Sequence, residues 1–317
     1  MVFVQRVQRK ISRRRGSGRH NGRMTTPRLG LAFVPTHAPE ELHDIAVAAD
    51  NAGLDDLWVW EDSFKESGVA SATAALAWTT KIRVGIGLLP TPLRTAAVAA
   101  MEIATISRMF PGRFVPGIGH GVQEWMEQAG VRVASPMTLL SEYTYALRDL
   151  LAGEKVTVDG RYIKLTGVQL DFPPLVQPPF MIGGTGPKTL DFCGKEGDGT
   201  LLGNSYTDEE LENACTRILA AHRGREGERV GQPHEIVYTL ITATGADGQS
   251  RVDREVALWG AEAGLGVGIA GDAAAIAATV HRLASYGVTT VVIQPTEDEP
   301  NLTEFIRFIG EEVRPLL

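Results

Sequence analysis

The amino-acid sequence predicts an α/β protein folded as a (β/α)8 TIM barrel, with a small hairpin insertion after helix four. The chain has 317 residues, 44% of them hydrophobic, which is enough to bury the core of one large domain. From residue 28 onward, eight short apolar runs alternate with helical segments, as in parallel βα units. Eight such units within about 290 residues match the size of this barrel.

The first half of the chain carries four predicted strands and four predicted helices. Apolar, β-rich runs place the strands at 28–34, 57–60, 82–89 and 113–119. The first helix is indicated by apolar residues spaced three and four apart, which are Leu42, Ile45, Ala46 and Ala49. The next two helices are expected at 67–79 and 95–109. Ser135 as N-cap and Pro136 at the first position open the fourth helix, which runs to about residue 151.

The second half begins with a hairpin and then returns to the βα pattern. Residues 156–165 alternate polar and apolar around Asp159-Gly160, a dipeptide typical of two-residue hairpin turns. Four further strands are predicted at 179–184, 199–203, 235–243 and 288–294. Thr207 and Glu210 have the spacing of a capping box, and Asp272 is the expected N-cap of a helix at 272–286. A last helix is expected at 301–315.

The charge distribution separates a basic tail over residues 1–27 from a barrel domain over 28–317. Nine of the 31 Lys and Arg lie in residues 1–28, which contain no Asp or Glu, so all 38 acidic residues lie in the rest of the chain. The tail is predicted to be disordered, and translation from Met24 would omit residues 1–23 of it. The acidic body argues against a nucleic-acid partner, and no run of about 18 apolar residues indicates a membrane span. Two cysteines without a disulfide pattern favour a cytoplasmic location.

Candidate site residues lie at the predicted strand ends, because a barrel of this type builds its active site there. Gly184, Thr185, Gly186 and Pro187 join a strand to a helix, and such a turn either binds a phosphate or only allows a tight connection. Glycines around Gly87-Leu88 weaken a central strand, so this segment is either a bulge under a flat ring or room for a facing helix.

Three titratable side chains follow strands two and four. Glu61 and Asp62 are candidates for acid–base chemistry, and His120, between Gly119 and Gly121, is a candidate for proton exchange. The alternatives are that the carboxylates cap a segment or pair with Lys65, and that His120 is an ordinary loop histidine. Trp58 and Trp60 are expected to point one into the barrel and one toward the helices. No metal-binding or Ser/His/Asp motif is present in the sequence.

Residues 83–121 resemble the characteristic region of luciferase-like monooxygenases and F420-dependent oxidoreductases. This stretch reads RVGIGLLPTPLRTAAVAAMEIATISRMFPGRFVPGIGHG. GLDDLWVWED at 53–62, DGRYIKLTGVQL at 159–170 and IGGTGPKTLDFCGKEGDGTLL at 182–202 are also similar to that family. Together the pieces cover residues 29–295. The resemblance favours the barrel over an open doubly wound sheet, which would alternate in the same way and for which the G-x-G-x-x-G fingerprint is missing.

The resemblance implies that the chain binds coenzyme F420, with FMN as the alternative. The deazaflavin ring would lie over a bulge with a non-prolyl cis peptide at Gly87-Leu88. The turn from Gly184 to Pro187 would hold the cofactor phosphate, and the loop Gly119–Gly121 would lie beside the cofactor's tail. Sugar-phosphate-oxidising members have Asp-His after strand two and Glu after the strand-four glycines, whereas this chain has Glu61-Asp62 and Val122.

The resemblance therefore implies an oxidoreductase that transfers a hydride between the deazaflavin and a small organic substrate other than a sugar phosphate. Glu61, Asp62 and His120 are the candidate proton donors. A homodimer and a separate cofactor-reducing enzyme are the expected partners. The two other interpretations are an FMN-dependent monooxygenase of a two-component system and a cofactor-binding protein without catalysis. Nothing in the loops identifies the substrate.

Overall fold

The computed structural model describes residues 26–262 and 266–317, so nearly all of the predicted basic tail lies outside the described residues. Eight parallel strands pair in the order β1-β2-β3-β4-β7-β8-β9-β11, and β11 pairs with β1 to close a barrel. This confirms the predicted (β/α)8 fold. The barrel strands are β1 (Arg28–Phe33), β2 (Asp56–Val59), β3 (Arg83–Pro90), β4 (Phe114–Gly119), β7 (Met181–Gly183), β8 (Gly199–Leu202), β9 (Glu235–Ala243) and β11 (Thr290–Pro295).

Helices surround the barrel and cover its outer face. They are α1 (Leu42–Asn51), α2 (Gly68–Trp78), α3 (Ala96–Met109), α4 (Gln123–Gln128), α5 (Pro136–Leu151), α6 (Pro187–Glu196), α7 (Asp208–Arg223), α8 (Gly248–Leu258), α9 (Ala273–Tyr286) and α10 (Leu302–Phe308). The capping box of Thr207 and Glu210 opens α7, and Asp272 caps α9, as predicted. Ser135 precedes α5 but caps no backbone N–H, because its hydroxyl pairs with Thr138 Oγ1 at 2.8 Å instead.

The predicted hairpin is present as β5 (Val156–Asp159) and β6 (Lys164–Val168), but its turn is longer than two residues. Asp159 pairs with Lys164, so four residues form the turn. The carboxylate of Glu142 on α5 accepts hydrogen bonds from the backbone N–H groups of residues 161, 162 and 163 at 2.8–3.0 Å. This distant acceptor stabilises the wider turn, which the local dipeptide pattern does not indicate.

Four elements differ from the sequence prediction. The short helix α4 and the whole of α8 were not predicted, and β10 (Ile269–Ala270) adds a short parallel pairing to β9. The inward face of α8 includes Arg251 and Glu255 as well as Val252 and Val256, so its apolar periodicity is weak. The predicted last helix is α only to Phe308, then a π-helical turn (Ile309–Val313) and a 3-10 turn (Arg314–Leu316).

Two layers of apolar side chains form the core. The larger lies between the strands and the helices, and a smaller one fills the barrel interior with Ala32, Val34, Trp58, Val115, Met181, Val237 and Val292. The interior is therefore packed below the carboxyl ends of the strands, which leaves those ends as the place for a cavity. Among the described residues, no helix is both long and apolar enough to cross a bilayer.

An ion cluster closes the opposite end of the barrel. Asp56, which is 1% exposed, accepts hydrogen bonds from Arg28 Nη2 at 2.8 Å and from Arg83 Nη2 at 2.8 Å. Arg83 also donates to Glu235 at 2.8 Å, and Thr290 donates its hydroxyl hydrogen to the same carboxylate at 2.5 Å. These side chains come from β1, β2, β3, β9 and β11, so the cluster ties five of the eight barrel strands together at their amino-terminal ends.

Candidate active site

A cavity of about 270 Å³ lies at the carboxyl ends of the barrel strands. Five of the candidate site residues line it, namely Asp62, Gly87, Leu88, Gly184 and Thr185. The other lining residues are Trp58, Trp60, Leu201, Leu202, Gly203, Asn204, Val237, Thr239, Trp259 and Val292. Neither Lys, Arg nor His occurs among these described lining residues, so the walls are apolar and aromatic with one carboxyl group.

The floor of the cavity includes a bulge in β3. The register between β3 and β4 shifts between Ile86 and Leu89, and the peptide bond Gly87-Leu88 is cis, as the resemblance implies. A Cβ built on Gly85 would collide with the six-membered ring of Trp58, so this glycine lets the indole lie against the strand. At Gly87 the nearest atom to a built Cβ is Trp58 Cε3 at 3.4 Å, so the bulge has backbone rather than side chain at its surface.

The side chain of Leu88 occupies the space that two glycines leave open. A Cβ on Gly119 or on Gly183 would lie 2.5 Å from Leu88 Cδ2. Gly119 therefore makes room for the Leu88 side chain, independently of any contact with a cofactor. Gly121 has a φ of +69° and would bring a Cβ within 2.8 Å of Pro90, so it allows the turn that leads from β4 into α4.

The turn from Gly184 to Pro187 brings a helix N-terminus to the rim of the cavity. Gly186 is the N-cap of α6 with extended backbone angles, and Pro187 is its first residue. Thr185, Gly186, Pro187 and Lys188 are exposed, and a Cβ on Gly186 would meet no atom within 4 Å. Exposed N–H groups at a helix start favour a bound anion, and the open space at Gly186 leaves room for one.

The two neighbouring carboxyl groups after β2 have different surroundings. Asp62 lines the cavity, and burial raises the pKa of its carboxyl group; Lys65 opposes that shift. Glu61 lies off the cavity, where it pairs with Arg94 and accepts a hydrogen bond from the backbone N–H of Gly68 at 3.0 Å. The structure therefore gives Glu61 the role of holding the start of α2 and leaves Asp62 as the carboxyl group of the cavity.

His120 lies next to the turn from Gly184 to Pro187 and does not line the cavity. Its Nε2 is 3.1 Å from Thr189 Oγ1 on α6, and burial lowers the pKa of the imidazole. A Cβ on Gly184 would meet Thr189, so the methyl group of that threonine packs directly under the turn. His120 thus supports the turn through Thr189, which makes it a positioning residue in this geometry.

Two tryptophans were placed incorrectly from the sequence, and a third was missed. Trp58 and Trp60 both line the cavity, because residues two apart on a strand share one face. Trp259 packs edge-on against Trp60 with ring centroids 5.5 Å apart. It follows α8, the helix that the sequence did not reveal. The indole N–H of Trp58 is buried and has no hydrogen-bond partner among the described residues.

Asn204 is another cavity residue for which sequence reasoning assigned no role. It follows β8, is 6% exposed, and donates a hydrogen bond from Nδ2 to Gln294 Oε1 at 2.7 Å. Gln294 lies near the end of β11 and is fully buried. Polar residues at the carboxyl ends of two strands were the available signal, but their pairing depends on strands that are 90 residues apart in sequence.

Comparisons with known proteins agree with the fold. The family model described as luciferase-like monooxygenase matches residues 17–300. A 5,10-methylenetetrahydromethanopterin reductase of Methanolobus tindarius is 33% identical over 205 residues, which are 64% of this chain and 62% of that protein. An F420-dependent glucose-6-phosphate dehydrogenase of Kineococcus radiotolerans is 32% identical over 62% of this chain and 63% of its own length. The matched part thus spans less than two thirds of these relatives.

A solved structure has the same architecture. An F420-dependent secondary alcohol dehydrogenase in complex with an F420-acetone adduct superposes with a TM-score of 0.79, covering 92% of this chain and all of that one. Its sequence identity is 19%, so this likeness concerns the fold alone.

Proposed function

The chain belongs to the luciferase-like monooxygenase family, and from this premise we propose that it is an F420-dependent oxidoreductase. In this proposal it transfers a hydride between the deazaflavin and a small organic substrate. The observation that carries the proposal is the bulge at Gly87-Leu88 in a cavity with an exposed helix start on its rim. The relatives named as F420-dependent support the choice of cofactor.

The described residues fit a flat ring with a phosphorylated tail. The backbone at Gly87 offers a surface without a protruding Cβ, and the exposed turn from Gly184 to Pro187 offers N–H groups and space for a phosphate. When bound, the cofactor supplies hydride chemistry at C5, and the protein orients the ring and excludes water.

Asp62 is the proposed proton donor to the substrate. It is the one carboxyl group among the described lining residues, and burial already raises its pKa. A bound ring would exclude more water and raise that pKa further, toward the value at which a carboxyl group serves as a general acid. Glu61 and His120 were also candidates, but their partners Arg94 and Thr189 assign them supporting roles in this proposal.

The substrate is proposed not to be a sugar phosphate. Some relatives of the chain are F420-dependent glucose-6-phosphate dehydrogenases. However, no basic side chain is found among the described lining residues of the cavity. A phosphate group in this cavity would lose hydration without a charged partner, which is costly. The departures at Glu61-Asp62 and Val122 support the same conclusion.

Calorimetric titration of the full chain with F420 and, separately, with FMN tests the cofactor. Micromolar affinity for F420 and none for FMN is the expected result. A preference for FMN would replace the proposal with a flavin-dependent monooxygenase. Turnover of F420 with a panel of alcohols, ketones, enones and imines then separates an enzyme from a protein that only binds the cofactor.

The remaining partners are also proposals. A homodimer is supported by the resemblance and by exposed apolar side chains on and near α3, among them Met101 and Phe172. Light scattering of the purified chain gives its mass in solution and decides between monomer and dimer. A separate enzyme would restore the cofactor's redox state. A cytoplasmic location is supported by Cys193 and Cys215, which are both buried free thiols.

A further inference from the structure

The polar wall of the cavity is part of a buried hydrogen-bond network that begins at Glu255 on α8. Glu255 is 7% exposed, and its two oxygens accept hydrogen bonds from three donors. Oε1 accepts from the indole Nε1 of Trp259 and from Nε2 of Gln294, each at 3.0 Å. Oε2 accepts from the backbone N–H of Glu297 at 3.0 Å. An indole and a backbone N–H can only donate, so the carboxylate acts as acceptor throughout.

This carboxylate determines the orientation of the two amides that follow. Because Gln294 must turn its NH₂ group toward Glu255, its Oε1 faces the other way. That oxygen accepts the Nδ2–H of Asn204 at 2.7 Å, so the amide of Asn204 is also fixed. A reversed Asn204 would place two carbonyl oxygens against each other without a hydrogen between them. The order of donors and acceptors from α8 to the cavity is therefore unique.

The last group of this network faces the cavity. Asn204 lines the cavity, and its Oδ1 accepts no hydrogen bond from the described residues. That oxygen is also not among the side-chain atoms sealed from solvent without a partner, although the residue as a whole is only 6% exposed. Because Nδ2 is turned to Gln294, the unpaired Oδ1 is the amide atom left for a compound bound in the cavity, which would meet a hydrogen-bond acceptor there.

We propose that Asn204 recognises an O–H or N–H group of the substrate, and that the site selects an uncharged, mainly apolar compound carrying such a donor. The inference rests on the proposed function, since it assigns Asn204 to the substrate of that site. Glu255 and Gln294 are positioning residues that hold the Asn204 oxygen toward the cavity. The apolar and aromatic walls formed by Trp60, Leu201 and Val237 would contact the rest of the substrate.

The charge of the cavity limits the substrate class further. Without a basic lining residue, a carboxylate or phosphate would be buried unpaired. A small cyclic alcohol is therefore a suitable probe, and its methyl ether is a matched compound that lacks the donor.

The experiment measures dissociation constants of cyclohexanol, methoxycyclohexane and cyclohexyl phosphate by ligand-observed NMR. Titrations use the full chain with and without F420. We expect cyclohexanol to bind about fivefold more tightly than the ether, the effect of one neutral hydrogen bond, and the phosphate not to bind in the cavity. Asn204→Leu should remove the preference for the alcohol while the ether binds as before. Gln249→Leu changes an exposed amide on α8, the helix that carries Glu255. It is the matched control and should change neither the preference for the alcohol nor the affinity for the ether.

Glu255→Gln tests the positioning role separately. A glutamine that turns its NH₂ group toward Gln294 gives up the hydrogen bond from Trp259 and lets both following amides reverse, which brings the NH₂ group of Asn204 to the cavity. We then expect the preference to move from cyclohexanol toward cyclohexanone, an acceptor without a donor. Thermal unfolding checks that each variant is folded. If Glu255→Gln does not fold, Gln294→Leu is the second variant that interrupts the same hydrogen-bond network.

The outcomes separate this inference from the proposed function. Equal affinities for alcohol and ether in the wild-type protein, or a preference that survives Asn204→Leu, would overturn the role of Asn204. Loss of cyclohexanol binding on F420 loading, together with weaker F420 binding in Asn204→Leu, would assign the acceptor to the cofactor and also overturn it. Failure to bind F420 with the alcohol preference intact in the cofactor-free chain would refute the proposed function alone.

Discussion

At the scale of single residues, two adjacent carboxyl groups differ because of what surrounds them. Glu61 faces Arg94 and a backbone N–H, whereas Asp62 faces the cavity. The sequence places both at the end of a strand, but it contains no information on which one meets Arg94, 33 residues away. The pair therefore illustrates the limit of sequence reasoning: position along a strand is predictable, while partners depend on the closed barrel.

Asp62→Asn should reduce turnover roughly 100-fold or more, the usual effect of losing a general acid, with little change in F420 affinity. Burial raises the pKa of Asp62, so the protonated, donating form persists to higher pH than for a free aspartate. Activity of the wild-type protein in the direction that consumes a proton should fall as pH rises through that pKa. The pH profile of kcat checks this, and Asp149→Asn on the exposed face of α5 is the control. An unchanged kcat in Asp62→Asn would exclude the residue as the donor.

Gly183→Ala should destabilise the fold by about 1–3 kcal/mol, because the new methyl group would lie 2.5 Å from Leu88 Cδ2. The displaced leucine would move toward the cavity floor and weaken cofactor binding. Combining the change with Leu88→Ala should restore much of the stability, since the two side chains compete for one space. Denaturant unfolding of the single and double variants measures this coupling. Gly203→Ala, where a Cβ meets nothing within 4 Å, serves as the stability control.

At the scale of elements, the sequence predicted where helices begin better than it predicted which residues they contact. Thr207 and Asp272 cap α7 and α9 because the capping interaction is local to three residues. Helix α8 escaped prediction because two of its buried residues are Arg251 and Glu255, which pair with the loop after β11. With charged residues on its buried face, α8 lacks the continuous apolar stripe that identifies a helix from sequence. The groups that these charged residues contact become known only from the structure.

Helix α6 offers a test in which stability and affinity change in opposite directions. Gly186 is its N-cap, with backbone angles that suit any cap residue and open space around it. Gly186→Asp should stabilise the helix start by a few tenths of a kcal/mol. The same carboxylate would repel a cofactor phosphate at this turn, and we expect F420 affinity to fall at least about tenfold.

Gly186→Asn is the matched control, because it caps the helix equally well without a charge. Its F420 affinity should stay within a few-fold of the wild-type value. If the two variants bind F420 equally, the phosphate does not lie at this helix start. Thermal unfolding and calorimetric titration of both variants provide the two readouts.

At the scale of the whole molecule, the barrel has the stabilising ion cluster at one end of its strands and the cavity at the other. The sequence predicted the barrel because βα alternation is periodic and local, and the resemblance added the cis peptide at Gly87-Leu88. It did not predict that Asn204, Gln294 and Glu255 form one network, because their strands and helix become neighbours only when β11, β9 and β8 close the sheet. The part of the site that depends on closure was thus beyond sequence analysis.

The ion cluster at the amino-terminal end of the barrel should affect folding without affecting the cavity. Asp56 is almost completely buried; desolvation raises the pKa of its carboxyl group, but hydrogen bonds from Arg83 and Arg28 outweigh this and lower the pKa overall. A carboxyl group with a lowered pKa in the folded state contributes stability above its unfolded pKa of about 3.9 and loses it as pH falls through the folded value. The cluster should therefore weaken only in strongly acidic solution.

Asp56→Asn leaves two arginines facing a neutral amide, and we expect a loss of about 3–5 kcal/mol in the free energy of unfolding at pH 7. The variant should also lose part of the steep decline in stability below pH 4, since the group that titrates there is gone. Urea unfolding at neutral and acidic pH measures both effects, with Asp44→Asn at an exposed carboxyl group as the control. F420 affinity of the folded variant should match the wild type, because the cavity lies at the other end of the strands. A large loss of affinity instead would mean that the two ends of the barrel are coupled through the strands that Asp56 joins.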